Sequence, residues 1–118
     1  MRKSKILPLR ALSIIMINLF ILLIASLADS KSSVDEGKDL SLKLCQTCHH
    51  YKDTEQAGTV GPPLIGMKAR FPDRKKLYDI IYDPQVAIKK DTMMPPFGRN
   101  ELIAKDQIEK IIDFLYTL

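Results

Sequence analysis

Thiol and imidazole groups are scarce in this chain: two of its 118 residues are cysteine and two are histidine. The thiols, Cys45 and Cys48, lie so close in sequence that a disulfide between them would constrain little of the unfolded chain. No internal repeat, low-complexity tract, Gly-rich phosphate loop or nucleophilic Ser/His/Asp arrangement is present. The usual sequence supports for phosphate cradling and triad hydrolysis are therefore missing. Net charge is missing too, once its distribution is considered. The formal +4 comes from 18 basic and 14 acidic residues, and residues 1–28 hold four of the basic ones and none of the acidic, leaving fourteen of each sign beyond them. A balanced remainder gives no support for nucleic-acid binding.

The excess charge has a targeting pattern. Arg2, Lys3, Lys5 and Arg10 precede an apolar run from Ala11 to Leu27, interrupted by Ser13, Asn18 and Ser26, and Ser26-Leu27-Ala28 follows with small residues. This is the order of a secretory signal, with cleavage expected after Ala28. The alternative is an uncleaved membrane anchor; the run is slightly short of a full span and the small-residue site is present, so cleavage is favoured, with no stable membrane span expected after it. The expected domain, 29–118, is small and buries only a modest core unaided.

The scarce residues are concentrated in one place. Cys45-Gln46-Thr47-Cys48-His49 has the spacing of a c-type haem attachment site. Two thiols can add across the two vinyl groups of a haem, and the histidine behind them can then reach the iron. A dithiol redox pair needs no such histidine and usually sits in a βαβ context, which is lacking; a zinc site needs two further ligands. A covalently held haem would also supply apolar surface to the core.

Around this motif the chain reads as short helices joined by rigid turns. Ser33 with Glu36 resembles a capping box. Val34, Gly37, Leu40 (or Ser41) and Leu44 then predict a helix from about Val34 into Cys45. Gly37 on its face would admit another helix closely. Lys52 to Thr59 is polar and reads as a loop. Gly61-Pro62-Pro63-Leu64-Ile65-Gly66 should form a rigid extended turn. A carbonyl from it, best that of Pro62, would hold the outer ring nitrogen of a ligating His49, and Leu64 would lie on the ring face. Pro72, Asp73, Leu77, Ile80 and Ile81 predict a second helix that stops at Asp83-Pro84, with another turn over Pro84 to Lys89. Arg70, Arg74, Lys75 and Lys76 form a local basic patch. It is read either as a solvated helix face or as a contact for an acidic partner or a haem propionate, with Arg70 the best candidate for the propionate. Ile108, Ile111, Ile112 and Leu115 predict a closing amphipathic helix. Gln107 suits its third position, while Ala104 is a weak cap, a deficit of about 1 kcal/mol.

Iron bound by one histidine has a second axial position, which electron carriers fill with a protein ligand. A thioether favours ferrous iron and raises the potential. The candidates beyond the leader are Met67, Met93 and Met94. Met94 is preferred because Pro95-Pro96 brace it directly; Met93 is second, and Met67, in a mobile-looking segment, reads as packing.

These stretches, taken together, resemble the class I cytochromes c and, within them, the SoxX family of monohaem subunits. The resemblance is carried by Cys-Gln-Thr-Cys-His at 45–49, Ala-Gly-Thr-Val-Gly-Pro-Pro-Leu at 57–64 and Gly-Met-Lys-Ala-Arg-Phe-Pro at 66–72. Ile-Tyr-Asp-Pro at 81–84, Met-Pro-Pro-Phe-Gly-Arg at 94–99 and Phe-Leu-Tyr-Thr-Leu at 114–118 complete it. It implies an all-α class I cytochrome c fold around one covalently bound haem c, with His49 and Met94 as axial ligands. It further implies a periplasmic heterodimer with a SoxA-type cytochrome subunit, acting as an L-cysteine S-thiosulfotransferase. Such a complex joins thiosulfate oxidatively to the SoxYZ carrier protein, with bond formation at the partner. The present chain would receive electrons and pass them to a soluble cytochrome c. A freestanding periplasmic electron carrier is the alternative.

Overall fold

Ser32 opens the first helix in the computed structural model, which describes residues 31–118 apart from 53 and 55–57. The Ser32 hydroxyl accepts from the Asp35 N–H at 3.1 Å, and α1 runs over Ser33–Cys45. The cap therefore lies one residue before the Ser33 expected from the sequence. Ser32 has extended backbone while Ser33 is already helical, and the Ser33 hydroxyl donates instead to the Asp113 carboxylate. The leader and cleavage site expected over 1–28 lie outside the described residues.

After the haem-motif turn and the Pro-rich loop, α2 covers Met67–Arg70, a single turn that the sequence did not suggest. Asp73 caps α3, Arg74–Tyr82, by accepting from the Lys75 N–H at 2.9 Å. Leu77 and Ile81 are its buried residues. The helix stops at Asp83, because Pro84 disfavours helical backbone at the residue before it, and α4 adds a turn over Pro84–Ala87. The last element is α5, Lys105–Leu115. Ala104 offers no side-chain acceptor at its start, but Gln107 Oε1 accepts from the Ala104 N–H at 2.9 Å. Half of a capping box is thus present.

The core sits where α1 crosses α5. Ile108, Ile111, Ile112 and Leu115 are all buried there, as their spacing predicts. The crossing is set by Gly37, where a Cβ would lie 1.8 Å from the Lys110 carbonyl oxygen. On α1 the buried positions are Gly37 and Ser41, with Leu40 and Leu44 packed at the margin. Arg74 joins α3 to α5 through Glu109 at 2.7 Å and Asp113 at 2.8 Å. This removes Arg74 from the basic patch, and Lys75 is paired with Asp79 at 2.6 Å. No strand occurs among the described residues, and the fold is all-α.

Candidate functional site

The site begins where α1 ends. The Cys48 and His49 N–H groups both donate to the Cys45 carbonyl, at 3.1 and 2.9 Å, so the chain turns tightly while keeping both cysteines and the histidine together. The Pro-rich loop is laced onto this turn. The Gly61 N–H donates to the Cys48 carbonyl at 2.8 Å, and the Leu64 N–H to the His50 carbonyl at 2.9 Å. Gly61 lies directly against the imidazole: a Cβ there would stand 2.4 Å from His49 Cε1 and 2.7 Å from Nδ1.

His49 Nδ1 is 2.7 Å from the Pro62 carbonyl oxygen. A carbonyl can only accept, so Nδ1 carries the proton and the lone pair of the neutral ring is on Nε2. That is the tautomer a metal needs, with the ring orientation fixed from behind.

A cavity of about 510 Å³ opens beside this turn. Cys45, Cys48, His49, Pro62, Leu64, Arg70 and Met94 all line it, together with Leu77, Ile81, Phe97 and Ile111. Two thiols, one oriented imidazole and the thioethers of Met67, Met93 and Met94 lining a largely apolar cavity fit a covalently attached haem. Burial pushes the Cys45 thiol above its ordinary range, opposed by the hydroxyls of Ser41 and Tyr51. These two form a buried pair. The Tyr51 hydroxyl donates to the Ser41 carbonyl at 3.2 Å, which leaves the Ser41 hydroxyl to donate to Tyr51 Oη at 2.6 Å. The sequence reading missed this pair, although Ser41 stands four residues before Cys45 and so on the same helix face.

The three methionines differ in setting. All three line the cavity, but Met94 is half-buried and Met93 is 81% exposed. The loop that carries them is fastened to the end of α3. The Gly98 and Arg99 N–H groups donate to the Tyr82 carbonyl at 3.1 and 3.0 Å, and Arg99 forms two bonds to Asp83, at 3.2 and 2.9 Å. Met67 is 3% exposed in α2, packed rather than mobile, and its sulfur accepts from Arg70 Nη1 at 3.5 Å. Arg70 Nη1 also donates to the Pro63 carbonyl at 2.6 Å and to that of Ile65 at 3.3 Å. Sequence alone suggested a propionate contact for Arg70 and did not reveal these backbone acceptors.

Residues 32–115 match the family model described as cytochrome c oxidase, cbb3-type, subunit III. The chain belongs to this family. It is a c-type cytochrome domain with the all-α fold of class I cytochrome c, and such a domain implies haem and electron transfer. Comparison with curated proteins and with solved structures gave no match. Cytochrome c domains are typically periplasmic or extracellular. No helix among the described residues is long and apolar enough to cross a membrane.

Proposed function

We propose that Cys45 and Cys48 would hold one covalently attached haem c, with His49 Nε2 and Met94 Sδ as the residues that would ligate its iron. We further propose that the chain is the electron-accepting, SoxX-type subunit of a SoxAX L-cysteine S-thiosulfotransferase. The observation that carries the ligand set is one cavity lined by both thiols, the Nδ1-protonated His49 and the half-buried Met94. When bound, the haem supplies a one-electron ferric/ferrous couple. The protein's part is to hold nitrogen and sulfur in fixed positions and keep water from the iron. With His49 and Met94 both ligating, substrate binding at the iron would be disfavoured, and a soft sulfur ligand would raise the potential. Arg70 Nε and Nη2 have no protein acceptor among the described residues, so they can meet a propionate while Nη1 holds the loop.

The sulfur-oxidation assignment draws on the sequence resemblance, above all Met94-Pro95-Pro96-Phe97-Gly98 beside Gly61-Pro62-Pro63-Leu64. In this reading the chain works in the periplasm against a SoxA-type subunit, where the bond to the SoxYZ carrier forms, and delivers electrons to a soluble cytochrome c. The second reading, a freestanding electron carrier, is equally compatible with the family match. Affinity purification of the tagged protein from the periplasm separates the two. Recovery of a second, SoxA-type cytochrome in stoichiometric amount is expected. A stable monomer with no affinity for such a subunit overturns the complex and leaves the carrier. Periplasmic protein without a Soret band would overturn both.

A further inference from the structure

The loop that steers His49 is also held by Arg70. Pro62, whose carbonyl accepts from the imidazole, is followed immediately by Pro63, whose carbonyl accepts from Arg70 Nη1 at 2.6 Å; the Ile65 carbonyl accepts from the same nitrogen at 3.3 Å. The Pro62–Pro63 peptide has no N–H of its own, so the backbone offers no donor there to anchor it. The other fastenings include Gly61 to Cys48, Leu64 to His50, the Gly66 N–H to the Leu118 carbonyl at 3.0 Å, and the Ala69 and Arg70 N–H groups to the Gly66 carbonyl at 3.2 and 3.1 Å. Among the described residues, Arg70 is the one side chain besides His49 itself that donates to the backbone of 62–66. A guanidinium suits this role, since two N–H vectors on one nitrogen can reach two carbonyls in a fixed fork.

We propose that Arg70 is a positioning residue for the proximal histidine: by clamping the Pro63 and Ile65 carbonyls it fixes the Pro62 acceptor, and with it the direction and basicity of the His49 ring. This rests on the reading of His49 as an iron ligand and adds to a propionate contact a second role, exerted through the loop. A charged donor to a carbonyl is a strong bond, and its loss frees the acceptor it held.

The test is hydrogen exchange of the His49 Nδ1–H, followed by NMR in the haem-loaded protein, in wild type, Arg70→Gln and Arg70→Lys. In Arg70→Gln the exchange should quicken by about tenfold or more, the scale of losing one charge-assisted bond, with Arg70→Lys intermediate and the backbone amides of α1 and α5 unchanged. Unaltered Nδ1–H exchange in Arg70→Gln overturns the proposal, whatever happens to the potential, and leaves only a charge or propionate role. Equal acceleration of the α1 and α5 amides also overturns it, because the effect is then general loosening. A hyperfine shift of this proton in the ferric protein marks His49 as an iron ligand. If the shift is missing, the ligand reading falls, and the same exchange comparison still decides the clamp.

Discussion

One missing methyl group decides where the His49 ring can lie. Alanine at position 61 would place a carbon 2.4 Å from the imidazole, and the ring would have to leave the Pro62 carbonyl. Gly61→Ala is expected to lower stability by about 1–3 kcal/mol, as overpacking does, and to disturb the axial ligand spectrum; denaturant melts and absorption spectra check both. The methionines make a second residue-scale case. Met94→Ala should abolish the weak red or near-infrared sulfur-to-ferric-iron band and lower the potential, while Met93→Ala leaves both in place. The reverse pattern moves the ligand to Met93. The acceptor for His49 was legible in the sequence because two prolines and flanking glycines permit little but an extended loop with free carbonyls. The partners of Arg70 were not legible, because a long cationic side chain goes wherever tertiary structure leaves carbonyls bare.

At the scale of elements, the ends of helices carry charge logic. Asp113 on α5 accepts from the Ser33 hydroxyl and pairs with Arg74 at 2.8 Å. The Ser33 hydroxyl, reinforced by Arg74, holds its carboxyl below the ordinary 3.8. A depressed carboxyl stabilises the fold above the unfolded-state value and loses that contribution as pH falls through the folded one. Asp113→Asn should therefore be less stable than wild type at neutral pH, by about 1 kcal/mol or less for such a solvent-screened group. The gap should close below about pH 4. Denaturation midpoints across pH 2–7 test this, and a gap that widens in acid would refute it. The closing helix was legible from its isoleucines, because eleven residues hold three full turns of the pattern. The single turn of α2 was not, since four residues cannot display a period.

For the whole molecule, the decisive contact joins the first helix to the last. Gly37 meets backbone of α5, not a movable side chain, so relief requires the helices to part. Gly37→Ala is predicted to cost about 3 kcal/mol, the upper range for overpacking, and to lower the melting temperature of the haem-loaded protein; a melt like that of wild type would show that the crossing is loose. From sequence, Gly37 could be marked as a place of close approach, but not assigned its partner, because nothing local points across some seventy residues to Lys110. Near this crossing Ser33 also touches Asp113, so the outer ends of the two helices are neighbours in space. A circularly permuted gene could splice residue 118 to residue 31 through a short glycine linker and reopen the chain at the exposed Pro72–Asp73 junction. It would keep the same packing while turning the most distant pairing in the chain into a local one.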